Sequence, residues 1–354
     1  MQNQVLGLGR ALRDLGVDAR ILAPCDGPPP DPAVTPLGSS VPTASNGSTA
    51  AIAPDPAATL RTIRALRDER FEVVNVHEPL APGPSLSTVV FCDAPLVGTF
   101  HRCGQSGWVR AFRRLGVWAL ANLDLRVAVS EAARDTAAEA VGGEYEVLWN
   151  GVDLERFERA RPWPKAGQVV MFVGRHEPRK GLEVLLEAFA RLEGDCGLWL
   201  ASSGAGLELL RARFGSDKRI EWLGMISEQE KISRLRAADV LCAPSLGGES
   251  FGVVLLEGMA GGALVVASDI EGYRLVGGGG AALLVPPGDP ARLEGALRRA
   301  LSASSELEAL RRAGTARARQ YSMEALARRY LELYEQVARV GHARRRGDPW
   351  PKRG

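Results

Sequence analysis

Gly247-Gly248-Glu249-Ser250-Phe251-Gly252-Val253-Val254-Leu255-Leu256-Glu257 is the stretch whose reading decides the fold. The glycine pair permits backbone shapes that a side chain would forbid. Ser250 reads as the N-cap of a helix starting near Phe251 and Gly252. Because Gly252 has no side chain, an anion can approach the free N–H groups and the positive end of the dipole at such a helix start. Glu249 stands at that mouth. Glu257 lies about two turns in, on an apolar face that would bury it, so it needs a partner. At about 1.5 Å of rise per residue the two carboxylates are expected about 10 Å apart. That span suits a sugar nucleotide, with Glu249 on the sugar and Glu257 on the ribose.

Working outward, strands are expected at 169–173, 198–201, 220–223, 240–243, 264–267 and 283–285, with helical patterns between them. Six such units fit a doubly wound parallel sheet, whose ligands sit at the C-terminal edge of the strands. The loop after the first of these strands, Gly174-Arg175-His176-Glu177-Pro178-Arg179-Lys180-Gly181, is basic. Arg175, through its forked guanidinium, and Lys180, as a point charge, suit a diphosphate. The spacing is not that of a triphosphate-hydrolysing phosphate loop, and no G-x-G-x-x-G opens either half, which disfavours hydride transfer. Ser202-Ser203-Gly204 emerges at the same edge. Together these segments describe a sugar-nucleotide site in which fixed cations stabilise a departing nucleoside diphosphate. With no D-x-D pair in a metal-binding setting, neither a metal nor a cofactor is expected, the cations taking that part.

The first half shows the same alternation less cleanly. Val5, Leu6, Leu8, Ala11, Leu12 and Leu15 make one helical face, followed by a strand at 18–24, a Pro-rich loop at 28–36 and a helix at 57–70. Strands at 72–76 and 96–100 end in His77 and His101, which places both at the edge that faces a ligand, His101 being the stronger candidate. A helix at 108–122, a strand at 125–129, a helix capped by Ser130 and a last strand at 145–149 follow. Arg61, Arg64, Arg67 and Arg70 recur every three residues and read as a stripe, either a solvated face or a dock for anionic lipid headgroups. Arg161-Pro162-Trp163-Pro164 reads as the linker between domains.

A length of 354 residues suits two domains. A hydrophobic content of 45% with 24% charged residues is that of a globular chain. A net charge of +2 points to no nucleic-acid partner. Five cysteines without a C-x-x-C pair fit a reduced cytoplasm and no zinc site. No apolar run is long enough to span a membrane and no leader opens the chain, so the expected place is the cytoplasm, including its membrane surface.

With these residues in view the chain resembles the retaining GT-B glycosyltransferases of family 4, and within them the actinobacterial phosphatidylinositol mannosyltransferases. The resemblance is carried by L-G-G-E-S-F-G-V-V-L-L-E-G-M-A-G-G-A-L-V-V-A-S-D at 246–269, V-H-E-P at 76–79, T-F-H at 99–101 and N-G-V-D at 150–153. It implies an α/β protein of two Rossmann-like domains facing a central cleft: an acceptor-side domain over 1–158, a sugar-nucleotide domain over 165–320 and a helix over 321–341 crossing back to the first domain; the Arg-rich composition of 342–354 reads as a disordered basic tail. It implies GDP-mannose as donor, a phosphatidylinositol-type lipid as acceptor, and work at the inner face of the plasma membrane.

Carried over by residue, the resemblance puts Gly174, Arg175, Lys180, Gly204, Gly248, Glu249, Ser250, Phe251, Gly252 and Glu257 on the donor, with Ile226 near the base. Glu249, Arg175, Lys180 and His101 would carry the chemistry; Asn46, Ser48 and His101 would face the acceptor. The family's first strand and its Gly-rich loop have no counterpart, and the expectation is a start site placed too late. Residues 102–106 and Ala50-Ala51 also depart from the family near the acceptor. Two other readings stand beside this one: a family 4 enzyme with another nucleotide sugar and a soluble sugar or inositol phosphate acceptor, and a truncated, non-catalytic sugar-nucleotide-binding relative.

Overall fold

Parallel strands covered on both faces read as continuous apolar runs. Val169–Val173, Val240–Ala243 and Leu264–Ser268 are such runs, buried almost throughout. The computed structural model describes residues 1–45, 48–102, 113–302 and 304–347. The chain forms two units, one of Met1–Asn150 with the helix from Glu324 on, the other of Gly151–Met323. The first unit therefore closes at Asn150, short of 158, because the segment after it builds a helix of the second unit.

In the first unit α1 (Gln2–Asp14) precedes β1 (Ile21–Ala23) and β2 (Val34–Pro36), then a hairpin of β3 (Val41–Ser45) and β4 (Ser48–Ile52). The alternation continues with α2 (Pro56–Glu69), β5 (Val74–His77), α3 (Pro84–Phe91), β6 (Leu96–Phe100), α4 (Arg113–Leu120), β7 (Leu125–Ala128), α5 (Glu131–Val141) and β8 (Glu146–Val147). β5 to β8 pair in parallel in that order, while β1 and β2 form a separate parallel pair. The parallel strands of this unit thus fall into two sheets. The Pro-rich loop read over 28–36 supplies β2, and the strand read over 145–149 shrinks to two residues.

The arginine stripe does not hold. Three-residue steps on a helix of 3.6 residues per turn walk around it by about 60° each, so the four positions share no single face. Arg70 lies beyond the helix in a left-handed cap, and the Arg61 guanidinium turns back to the Leu37 carbonyl at 2.6 Å.

The second unit runs α6 (Leu154–Arg159), β9 (Val169–Val173), α7 (Leu182–Arg191), β10 (Gly197–Ala201), α8 (Leu207–Phe214), β11 (Ile220–Trp222), α9 (Glu228–Ala237), β12 (Val240–Ala243), α10 (Val253–Gly261), β13 (Leu264–Ser268), α11 (Glu271–Gly277), β14 (Leu283–Val285), α12 (Pro290–Ala300) and α13 (Ser305–Gln320). Its six strands are all parallel, in the order β11-β10-β9-β12-β13-β14. That order reverses between β9 and β12, the crevice where open α/β sheets hold their ligands. Val170, Leu185, Phe189, Leu198, Val240 and Leu297 belong to the core on which this sheet rests. The Pro-rich linker is not loose: Trp163 donates its N–H to the Ser233 carbonyl, and its ring stacks on the Arg234 guanidinium, which Trp199 covers from another side.

α14 (Met323–Gly347) follows. It continues through 342–347, so the basic tail read as unstructured is helical there, and 348–354 lie outside the described residues. Among the described residues no helix is long and apolar enough to cross a membrane.

α14 is bound to the sheet of the first unit by a polar ladder. Tyr334 accepts from Asn75 Nδ2 at 2.7 Å, and Asn75 Oδ1 accepts from Thr99 Oγ1 at 2.8 Å. The one Thr99 proton is engaged there, so Tyr330 donates to Thr99 Oγ1, at 3.3 Å. Thr99 and Tyr330 are buried, and each unmade bond would leave a polar group without water. Asn75→Ala removes the middle rung. It is expected to destabilise the first unit by about 2 kcal/mol, read as a lower urea midpoint with an unchanged slope.

Candidate functional site

β12 ends at Ala243, and the chain then turns through Pro244 and Ser245 into the glycine-rich loop. Gly248 and Gly252 take φ of +71° and +90°, the left-handed region that disfavours side chains. The helix start differs from the sequence reading. α10 begins at Val253 and its N-cap is Gly252, with no side-chain cap, so Ser250 does not fill that role. A Cβ at residue 252 would stand 2.9 Å from the Tyr273 ring, which leaves only glycine room to turn into the helix there. Phe251 is buried, with its ring edge-on to Tyr321 at 5.6 Å, and its side chain anchors the loop in the core. Glu249 precedes α10, so helical rise does not set its distance from Glu257.

Two close backbone contacts cast this loop. Gly181, at φ +67°, follows the turn Pro178–Lys180, and a Cβ there would lie 2.0 Å from the Pro244 carbonyl oxygen. A Cβ on Gly272, in the first turn of α11, would lie 1.8 Å from the Glu249 carbonyl oxygen. The basic loop after β9 and the start of α11 therefore touch the glutamate loop main chain to main chain. A third contact sets the loop after β10: His176 donates its N–H to the Ser203 carbonyl at 2.8 Å, and Gly204, at φ +146°, leaves room for the His176 backbone. Gly174 closes β9 with an N–H donated to Ala201.

The side chains form an alternating chain of charge. Glu249 Oε1 meets Lys180 Nζ at 2.7 Å and Arg179 Nη1 at 2.9 Å. Arg179 also donates to the Gly248 carbonyl at 3.2 Å and pairs with Glu177 at 2.6 Å. Arg175 pairs with Glu177 at 3.4 Å. Three cations against two carboxylates leave a positive surplus at the sheet edge, suited to an incoming phosphate. Arg175 and Lys180 were read from the sequence. Arg179, which joins them, was passed over although it lies in the same loop; its signal was three basic residues within six positions.

Glu257 stands apart, half-buried on α10. Its partner is Lys231 on α9, at 2.7 Å, which also meets Glu228 at 2.9 Å. Burial pushes the Glu257 carboxyl up while Lys231 holds it down. Burial works against the Lys231 charge too, but Glu257 and Glu228 outweigh it and keep the ammonium above its ordinary range. Ile226, half-buried, lies just before Ser227, which caps α9.

In the first unit, His77 Nδ1 and His101 Nε2 share a hydrogen bond of 2.8 Å. The His101 backbone N–H donates to the Glu78 carboxylate at 2.7 Å. Glu78 takes φ of +54°, unfavourable for a residue with a side chain and sustained by its surroundings. Burial pushes its carboxyl up against the pull of Arg102. Asn46 lies outside the described residues; Ser48 opens β4, paired with Ser45.

Two family models match, Glycosyltransferase Family 4 over residues 1–156 and Glycosyl transferases group 1 over residues 167–303. Phosphatidyl-myo-inositol mannosyltransferase from Mycobacterium leprae is 36% identical, covering 96% of this chain and 94% of that one. The protein of the same name from Mycobacterium tuberculosis is 35% identical with the same coverage, and that from Propionibacterium freudenreichii 33% identical over 77% of this chain and 74% of its own. Among solved structures, a glycosyltransferase from Rickettsia africae superposes with a TM-score of 0.70 at 16% identity, covering 95% of this chain and 94% of that one. Anabaena Alr3699/HepE in complex with UDP and glucose superposes at 0.71 and 17%, over 94% and 96%. At these identities the structures speak for the fold: two Rossmann-like domains of the GT-B kind.

The histidine pair gives the first unit a pH dependence. Burial lowers His77 from the ordinary 6.5 to about 4, and burial together with His77 holds His101 well below its usual range. A histidine that is neutral when folded but takes up a proton once unfolded weakens the fold as pH falls. The stability is complete above about pH 6.5 and is lost progressively down to about pH 4. For His77 alone this amounts to about 3 kcal/mol. Urea unfolding from pH 7 down to 4 is expected to show that loss in the native chain and a shallower one in His77→Gln; equal slopes would contradict the assignment.

Proposed function

The chain belongs to glycosyltransferase family 4, and from that premise we propose that it moves mannose from GDP-mannose to a phosphatidylinositol-type lipid with retained anomeric configuration. It is a glycosyltransferase, of the hexosyltransferase kind. The observation that carries the donor half is the Glu249 carboxylate held by Arg179 and Lys180 at the C-terminal edge of the β9–β12 sheet.

In this reading the diphosphate takes the place beside Arg175, Arg179 and Lys180, close to the backbone at Gly174, Gly204, Gly248 and Gly252. As the sugar–phosphate bond breaks, charge grows on the leaving oxygen, and cations already in position stabilise it without reorganising. Glu249, released from part of its ion pairing, accepts hydrogen bonds from the sugar hydroxyls and orients the anomeric carbon. Glu257, paired with Lys231, accepts from the ribose hydroxyls, and Ile226 lies toward the base. To His101, neutral and fixed by His77, we assign a part in the chemistry on the acceptor side, and to Asn46 and Ser48 contact with the acceptor. The arginine side chains neutralise the charge that a metal ion would otherwise meet, so no metal or cofactor enters the step. A lipid acceptor calls for work at an anionic membrane surface, to which Arg61, Arg64, Arg67 and Arg70, exposed but spread around α2 and its cap and not set on one face, add only diffuse positive charge.

The test is transfer of labelled sugar to phosphatidylinositol vesicles, with GDP-mannose and a set of UDP-sugars offered in parallel. Mannose from GDP-mannose is expected in the lipid product. Glu249→Ala is expected to lower turnover at least about a hundredfold, as for a contact realised in the transition state, while still folding to the native state by circular dichroism. Transfer from a UDP-sugar to a water-soluble acceptor alone would overturn donor and acceptor together, and an unchanged rate in Glu249→Ala would remove the glutamate from the chemistry.

A further inference from the structure

Glu249 is gripped from a second side by residues that no sequence motif brought into the site. Ser245, two residues past β12 and buried, donates its Oγ–H to Glu249 Oε1 at 3.3 Å, since a carboxylate can only accept. The same Oγ lies 2.9 Å from the hydroxyl of Tyr273 on α11. Serine has one proton, and it is engaged with the carboxylate; Tyr273 must therefore be the donor in the second bond. The direction is settled by counting protons: Tyr273 O–H to Ser245 Oγ–H to Glu249 Oε1. Both hydroxyl residues are at 1% exposure, so no water stands in for either bond. Burial, and then the negative charge of Glu249, push the Tyr273 hydroxyl up, which keeps it a donor at every pH at which the protein works.

The tyrosine ring is fixed as firmly as its hydroxyl. It lies where a Cβ on Gly252 would fall, and its neighbour Gly272 touches the Glu249 main chain. One turn of α11 thus sets both the backbone and the carboxylate of Glu249. The contacts of Lys180, Arg179 and Ser245 all fall on Oε1.

We infer that Tyr273 and Ser245 form a hydroxyl relay that positions Glu249, holding Oε1 from the core side so that Oε2 is presented to a substrate hydroxyl. They are positioning residues and act only through the glutamate; the part that concerns substrate rests on the reading of Glu249 given above. When a diphosphate draws Lys180 and Arg179 toward itself, the relay is the contact that stays, because it belongs to the core and carries no charge for the phosphate to attract. A hydrogen-bonded chain of this kind is polarised along its length, so removing its far end weakens the near one.

Tyr273→Phe removes the hydroxyl while keeping the ring that shapes Gly252, and Ser245→Ala removes the middle of the relay. The first readout needs no activity: in protein labelled at the glutamate carboxyl carbons, the Glu249 resonance, identified by its loss in Glu249→Gln, is expected to shift in both variants. The second is sugar transfer from GDP-mannose, with GDP binding followed by calorimetry. Each variant is expected to lose about tenfold in turnover, the size of one hydrogen bond, with GDP affinity unchanged. The double variant is expected to be no slower than the slower single one, because both act on one atom.

An unmoved Glu249 resonance in Tyr273→Phe overturns the relay. So do losses that multiply to about a hundredfold in the double variant, or a fall in GDP affinity equal to the fall in turnover. If the native chain neither binds nor transfers from any nucleotide sugar, the functional reading fails, and the resonance still decides the relay. Thermal melts of both variants separate either result from loss of the fold.

Discussion

The second unit depends on main-chain contacts that only glycine permits. Gly181 against Pro244, and Gly272 against Glu249, bring three separate loops to within van der Waals distance without an intervening side chain. Everything charged in the site follows from that approach. Lys180 reaches Glu249 because its own loop is pressed onto the segment after β12, and Arg179 bridges the two by bonding the Gly248 carbonyl as well. A side chain at either glycine would push the loops apart by more than a hydrogen bond can span. Backbone sterics, more than electrostatics, set the geometry in which the electrostatics operate.

Charge alternation then lets so many ionised groups sit together before any ligand arrives. Arg175, Glu177, Arg179, Glu249 and Lys180 form a chain in which each ion touches its opposite. Burying one of them alone would be costly; as a chain they neutralise one another and leave a positive surplus for a phosphate. The same logic appears one helix away, where Lys231 keeps the half-buried Glu257 in company. The first unit solves the equivalent problem with neutral groups. His77 and His101 share one proton-mediated bond, and the Asn75–Thr99 pair ties their strands to the tyrosines of α14.

Much of this was legible in the chain. The alternation of apolar runs with amphipathic stretches gave the six parallel strands of the second unit to within a residue or two, because strands buried on both faces have no other composition open to them. Glu249, Glu257 and the basic loop stood out because charge inside an apolar or glycine-rich segment must be answered by something. The misses have separate causes. Ser250 was taken for a cap because serine commonly caps, but the turn needed a left-handed residue and Gly252 took the place. The arginine stripe came from counting threes along a helix whose turn is 3.6 residues. β2 was hidden in a proline-rich segment whose pairing partner lies elsewhere in the chain.

Glu249 marks the division most clearly. Its presence, its glycine neighbours and its place before an apolar helix are local properties, and the sequence by itself determined them, along with the family and the parallel α/β architecture. Which groups hold its carboxylate was decided only by tertiary structure. Arg179 and Lys180 come from about seventy positions upstream, and Ser245 and Tyr273 converge from the end of one strand and the start of a later helix. No periodicity encodes such meetings. They arise where the sheet order reverses between β9 and β12, placing loops distant in sequence side by side, and where Gly181 and Gly272 let those segments close the remaining gap.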